Sequence, residues 1–130
     1  MKFDSRYLAF FDLWNQRQFF ECHEVLEEVW QESVGLEKGF YQGLIMASAA
    51  FVHLERKNAQ GCLNLLENAL NHLEQFPPRY LAFPVREFVD FLATWQARVE
   101  LMRALNEVEL DCEQLPLIEP PNGAMSARLI

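Results

Sequence analysis

Apolar residues recur at three- and four-residue intervals along almost the whole chain, and two-residue alternation is nearly absent. That periodicity predicts an all-α fold. A first helix opens at Asp4 or Ser5, either of which can cap free backbone N–H groups, and its apolar face is Tyr7, Leu8, Phe11 and Trp14. The polar stretch Asn15-Gln16-Arg17-Gln18 reads as a short connection. A second helix runs from Phe19 to Gln31 with Phe19, Cys22, Leu26 and Val29 as its stripe. Residues 32–36 break the pattern. The third helix, Glu37 to Lys57, is apolar nearly all round from Phe40 to Leu54, as expected of the central helix of a bundle.

Residues 59–76 form a fourth helix with the seam Cys62, Leu66, Ala69, Leu73 and Phe76, stopped by Pro77-Pro78. After a connection over 79–83, Pro84 fits the first turn of a fifth helix. Its seam is Val85, Phe88, Leu92, Trp95, Val99 and Met102, which suits an internal core or a dimer equally well. The pattern fades after Asn106. Leu115-Pro116-Leu117-Ile118 reads as an extended strap, and residues 119–123 as loop or tail. The expectation is therefore a compact bundle of five helices arranged as helical hairpins, orthogonal or up-down, over residues 1–106, with strap and tail over 107–130.

Offsetting the chain by 40 residues aligns Ala9 with Ala49, Phe11 with Phe51, Cys22 with Cys62, Leu26 with Leu66 and Glu27 with Glu67. Each half is then a helical hairpin, loosely like a tetratricopeptide unit. Chance or shared packing rules account for such an echo better than duplication does.

At 130 residues and 51% apolar composition the chain has material for one core without staples. Its formal net charge is -8, from 19 acidic and 11 basic side chains. That balance, with no local run of Lys and Arg, opposes phosphate backbones and anionic lipid, so no nucleic acid and no membrane partner is expected. No signal peptide is evident, and the apolar stretch Gly43–Leu54 is too short to span a bilayer. Cys22, Cys62 and Cys112 form no CxxC pair and read as reduced thiols of a cytoplasmic protein.

The densest chemical stretch is Glu21-Cys22-His23-Glu24-Val25-Leu26-Glu27-Glu28-Val29-Trp30. On a helix His23 and Glu27 lie one turn apart and Trp30 continues their face. A carboxylate beside an imidazole can orient its tautomer and make the pair a general base or two metal ligands. Gln42 and His53, about three turns apart on the third helix, supply the opposite wall. An antiparallel hairpin sets Trp30 near Phe40 to Gln42 and His23 near Ser48 or Ala49. His53 then lies roughly 7 Å further along, where it could line one pocket with His23.

Three readings follow. The cluster is a buried network fixing helix register, with Trp30 and Gln42 satisfying what the His23–Glu27 pair leaves. Or it is a divalent-metal or hydrolytic site, with His23, Glu27 and His53 as ligands and Glu24 as base. His23-Glu24-Val25-Leu26-Glu27 superficially resembles HExxH with its second His replaced, but no strand stands beside it. Or it belongs to a binding module for a peptide, a small ligand or a second copy of the chain. His72, beside Asn71 and Glu74, reads as solvated, whereas Trp14 and Trp95 read as core.

The spacing His23, Glu27, Trp30 (HxxxExxW), preceded by Phe20-Glu21 and followed by Phe40-Tyr41-Gln42-Gly43-Leu44-Ile45 and His53, resembles the bacterial and archaeal domain-of-unknown-function family numbered 309. Glu24, Gln42, Gly43 and His53 are further family-like positions. The resemblance covers about residues 7–76 and implies a small all-helical cytosolic protein with no established activity to carry over. The chain departs from the family pattern at Met46, where a second glutamine is frequent, and at Gln18, in a region where glycine is frequent.

Overall fold

The computed structural model describes residues 2–121. Five helices follow one another: α1 (Ser5–Asn15), α2 (Phe19–Glu32), α3 (Gly35–Glu55), α4 (Ala59–Leu73) and α5 (Val85–Leu105), with a short 3-10 turn at Cys112–Gln114. Among the described residues there is no strand, only an isolated bridge between Tyr80 and Phe83, so the all-α expectation holds. No described helix is long and apolar enough to cross a membrane.

Asp4 caps α1 by accepting the Arg6 N–H at 2.8 Å. Several helix ends differ from the periodicity: α2 runs one residue further, to Glu32, and α3 ends at Glu55 rather than Lys57. Helix α3 opens at Gly35 rather than Glu37, directly after the extended Val34. Helix α4 ends at Leu73, because the Phe76 N–H closes a turn onto the Leu73 carbonyl at 3.1 Å. The Phe76 ring then leaves the helix to pack 5.6 Å from Phe40 and 4.9 Å from Tyr80.

The two hairpins are joined alike. Helix α1 ends with Arg17 at φ 63 and a Gln18 N–H bond to the Leu13 carbonyl of 2.9 Å. Helix α3 ends with Lys57 at φ 61 and an Asn58 N–H bond to the His53 carbonyl of 2.8 Å. Both are left-handed helix stops of the kind that glycine usually makes. The first turns of α2 and α4 then repeat one bond, Cys22 N–H to Gln18 and Cys62 N–H to Asn58. The 40-residue echo is thus an echo of backbone geometry as well as of side chains.

The core is aromatic and centred on Trp14, which meets Phe19 at 5.1 Å, Phe51 at 5.6 Å and Phe88 at 5.5 Å. One indole therefore bridges α1, α2, α3 and α5. Trp95, like Trp14, is buried, as the sequence predicts. The α5 seam from Val85 to Val99 faces the bundle and is spent internally. Gly43 lets α4 approach α3, since a Cβ there would stand 2.7 Å from Leu73. His72, expected in solvent, is instead half-buried beside that contact.

The strap segment docks on the end of α1. Asn15 donates to the Ile118 carbonyl at 2.9 Å and accepts the Ile118 N–H at 2.8 Å. The Trp14 indole and the Arg17 guanidinium donate to the Pro116 carbonyl, and Arg17 also to that of Leu115. Leu115 and Ile118 are buried, as are Pro120 and Pro121. The part of the predicted tail beyond Pro121 lies outside the described residues.

A left-handed β-carbon is costly, and Lys57 forms no ion pair among the described residues to offset it. Lys57→Gly should raise stability by roughly 0.5–1 kcal/mol after the added freedom of the unfolded chain is subtracted. Arg17→Gly should give no such gain, because it removes the bonds to the strap. Urea unfolding of both variants checks this; a Lys57→Gly protein less stable than the parent would contradict it.

Candidate functional site

The buried stripe of α2 is Phe19, Cys22, Leu26 and Val29. One position round the helix lie Phe20, His23, Glu27 and Trp30, at the edge where α2 meets solvent. Helix α3 presents a matching half-buried line at Lys38, Gln42, Met46, Ala49 and His53. Phe19 packs 5.5 Å from Phe51, and Cys22 lies against Ser48. The helices are therefore antiparallel, with Trp30 level with Phe40 and His23 level with Ala47, close to the level predicted from sequence.

At this edge His23 Nε2 lies 3.2 Å from Glu27 Oε2, with the side chains 32% and 43% exposed. The Phe20 ring stacks on the imidazole at 6.0 Å and is itself 47% exposed. The Lys38 ammonium sits 4.5 Å over the Trp30 ring. His23 Nδ1 is buried and has no hydrogen-bond partner. When Nε2–H donates to Glu27, Nδ1 is left as an unused acceptor. This is a half-open surface, and an ion pair this exposed adds little to stability.

His53 is occupied elsewhere. The Asn58 side-chain oxygen accepts the Gly61 N–H at 3.0 Å, so its amide nitrogen donates to His53 Nδ1 at 2.9 Å. The imidazole thereby braces the start of α4, and Gly61 keeps the space free, since a Cβ there would lie 2.7 Å from His53 Nδ1. His53 also lies about 9 Å beyond His23 along the helix axis, at 1.5 Å per residue. His53 Nδ1 is thus engaged with Asn58 and not with His23, with which the sequence suggested it could line one pocket. Among the described residues no group of three or more His, Cys, Asp or Glu side chains is arranged to hold a metal ion, so the set His23, Glu27 and His53 does not assemble. Glu24 is exposed on the adjoining face and Gln42 half-buried on the α3 edge.

Burial pushes the Cys62 thiol up to about 12, and raises that of Cys22 as well, so both behave as small packed hydrophobes. All three cysteines are free.

A second group of residues gathers at the start of α1. A cavity of about 400 Å³ opens between the start of α1 and the α2–α3 turn, lined by Phe3, Arg6, Tyr7, Glu37, Tyr41 and Leu81 among others. Arg6 bonds both Asp4 and Glu32 there, at 2.9 Å and 2.8 Å, and holds both carboxyls below their usual range.

Fold and site define a small all-helical protein of stacked hairpins with a polar, aromatic edge. Residues 7–65 match the family described as "Domain of unknown function (DUF309)". That span takes in α1 from Tyr7 on, α2, α3 and the first half of α4, and every residue of the edge cluster. The chain is 37% identical over 59 residues to "Uncharacterized protein YpuF" of Bacillus subtilis (strain 168), covering 45% of this chain and 34% of that protein. It is 32% identical over 80 residues to an "Uncharacterized protein" of Aquifex aeolicus (strain VF5), covering 61% of this chain and 24% of that protein. The match thus spans about a third and a quarter of those relatives' lengths. No solved structure matches the chain.

The exposure of the pair sets a prediction. Glu27→Gln should change unfolding free energy by less than about 0.5 kcal/mol, and His23→Ala by less than about 1 kcal/mol. A loss of about 3 kcal/mol in either variant, measured by thermal and urea unfolding, would instead mark the pair as a network the core depends on.

Proposed function

We propose that this chain is a protein-binding module whose α2 edge takes a basic, amphipathic polypeptide segment. The observation that carries the reading is the half-open state of the cluster: Phe20 stands exposed over His23 amid carboxylates of which Glu21, Glu24 and Glu28 enter no ion pair among the described residues. Helix α2 holds Glu21, Glu24, Glu27, Glu28 and Glu32 and no Lys or Arg. Of these, Glu32 is paired with Arg6, and Glu27 meets His23. Carboxylates in the last turns of a helix also face its negative end, which disfavours them. A partner bringing cations would relieve both costs, while Phe20 and Trp30 supply apolar contact. The net charge of -8 acts in the same direction over longer range.

A purely structural role fits less well, because a register-fixing network needs burial that this pair lacks. A metal-dependent hydrolase would need a third ligand beside His23 and Glu27, and His53 is bonded to Asn58. We place the protein in the cytosol, where free thiols such as Cys22 and Cys62 stay reduced.

The test uses two labelled helical peptides of equal apolar content, one carrying Lys and Arg on its polar face and the other Glu and Asp. The basic peptide should bind in fluorescence anisotropy and weaken with added salt, and the acidic one should not bind. Phe20→Ser combined with Glu27→Lys should cost about tenfold in affinity, ~1.4 kcal/mol, without unfolding the protein. Equal binding of both peptides, or unchanged affinity in the double variant, would overturn the reading.

A further inference from the structure

The cavity at the start of α1 lies apart from the α2 edge, and its chemistry is of another kind. Three aromatic rings form one wall: Phe3 and Tyr7 lie 6.0 Å apart, and Tyr7 and Tyr41 5.8 Å apart. Leu81 also lines the cavity. It is held there by a turn in which Leu81 and Ala82 both take left-handed backbone, at φ 50 and 58. Such a pair of conformations is the province of Asn and Gly, so Leu and Ala are strained in it. The turn is pinned by two Tyr80–Phe83 backbone bonds and by the Tyr7 hydroxyl, which donates to the Leu81 carbonyl at 3.0 Å. Strain maintained by this many bonds fixes the shape of the cavity beside it.

Charge decides what such a space accepts. Arg6 lines it, but its guanidinium is turned onto carboxylates: Nε and one terminal nitrogen bond Asp4, and both terminal nitrogens bond Glu32. An anion would find those donors taken and three carboxylates facing it. Glu37, also in the lining, enters no ion pair among the described residues. Its carboxylate lies close enough to Tyr41 to help raise that hydroxyl's pKa, after burial itself. Lys2 at the exposed rim is the remaining cation, and with it the lining sums to one net negative charge.

We propose that this cavity is a binding site for a protonated alkylamine, a lysine side chain or a free primary amine, with the half-buried Phe3 ring receiving the cation, the buried Tyr7 and Tyr41 rings as the floor behind it and Glu37 as its counter-ion. Aromatic faces attract cations through their ring quadrupoles, and a single unpaired carboxylate beside them sets the sign. A volume of about 400 Å³ is ample for such a group. Lys2 competes for the same carboxylate from the rim.

The experiment titrates the whole protein with n-butylammonium, 1-butanol and butyrate, three ligands of similar size and different charge, and follows the ring resonances of Tyr7 and Tyr41 by NMR. Saturable shifts are expected with the cation at millimolar concentration, weaker ones with the alcohol and none with the anion. Glu37→Gln should weaken the amine by about tenfold, and Lys2→Ala should strengthen it about twofold. Glu37 is exposed, and the remaining resonances report whether the fold is kept. N-acetyl-lysine methylamide against free butylammonium then distinguishes a protein side chain from a small metabolite amine; tighter binding of the lysine derivative favours the former, and of the free amine the latter. Butyrate or butanol binding as well as the cation, unchanged affinity in Glu37→Gln, or shifts confined to other residues would overturn the proposal.

Discussion

Helix α3 is apolar on nearly every side from Phe40 to Leu54, so it is stable in water only where other elements enclose it. Most of the molecule is a response to that requirement. Helix α2 covers one flank, α4 closes on another at Gly43, and Trp14 carries α1 and α5 onto Phe19 and Phe51 beneath. The strap completes the cover by hydrogen-bonding to Trp14, Asn15 and Arg17. The line left half-covered on α3 runs along Lys38, Gln42, Met46, Ala49 and His53, between α2 and α4. The polar residues of α2 and α3 gather along that line because it is where the central helix meets water.

This placement explains why the candidate cluster divides in two. On one side His23, Glu27 and Trp30 belong to α2 and stay partly open. On the other, His53 turns toward α4 and completes a cap with Asn58. The two groups differ in what holds them: the first stays partly open to solvent, and the second ties two helices together. Residues 7–65, which match the family, contain both.

Much of this was legible in the order of residues. The stripe Phe19, Cys22, Leu26, Val29 located α2, and the unbroken apolar run identified α3 as central. The side of α3 that His53 leans toward was not legible, because periodicity gives the face of a helix and not which of two neighbours flanks it. The end of α4 was not legible, since Phe76 continues the apolar spacing after the backbone has already turned. Arg17 and Lys57 stop their helices where glycine would have announced the stop. The cavity beside Tyr7 and Tyr41 rests on left-handed Leu81 and Ala82, residue types that carry no turn signal at all.

The central claim is that the cluster lies at an open seam while the core that supports it is sealed. Acrylamide quenching of tryptophan fluorescence tests this most directly, because Trp30 is half-buried whereas Trp14 and Trp95 are buried. The account predicts one readily quenched component, lost in Trp30→Phe, and a residual emission that acrylamide barely reaches. Uniform protection of all three indoles, with Trp30→Phe leaving the quenching curve unchanged, would mean the cluster is enclosed and would contradict it.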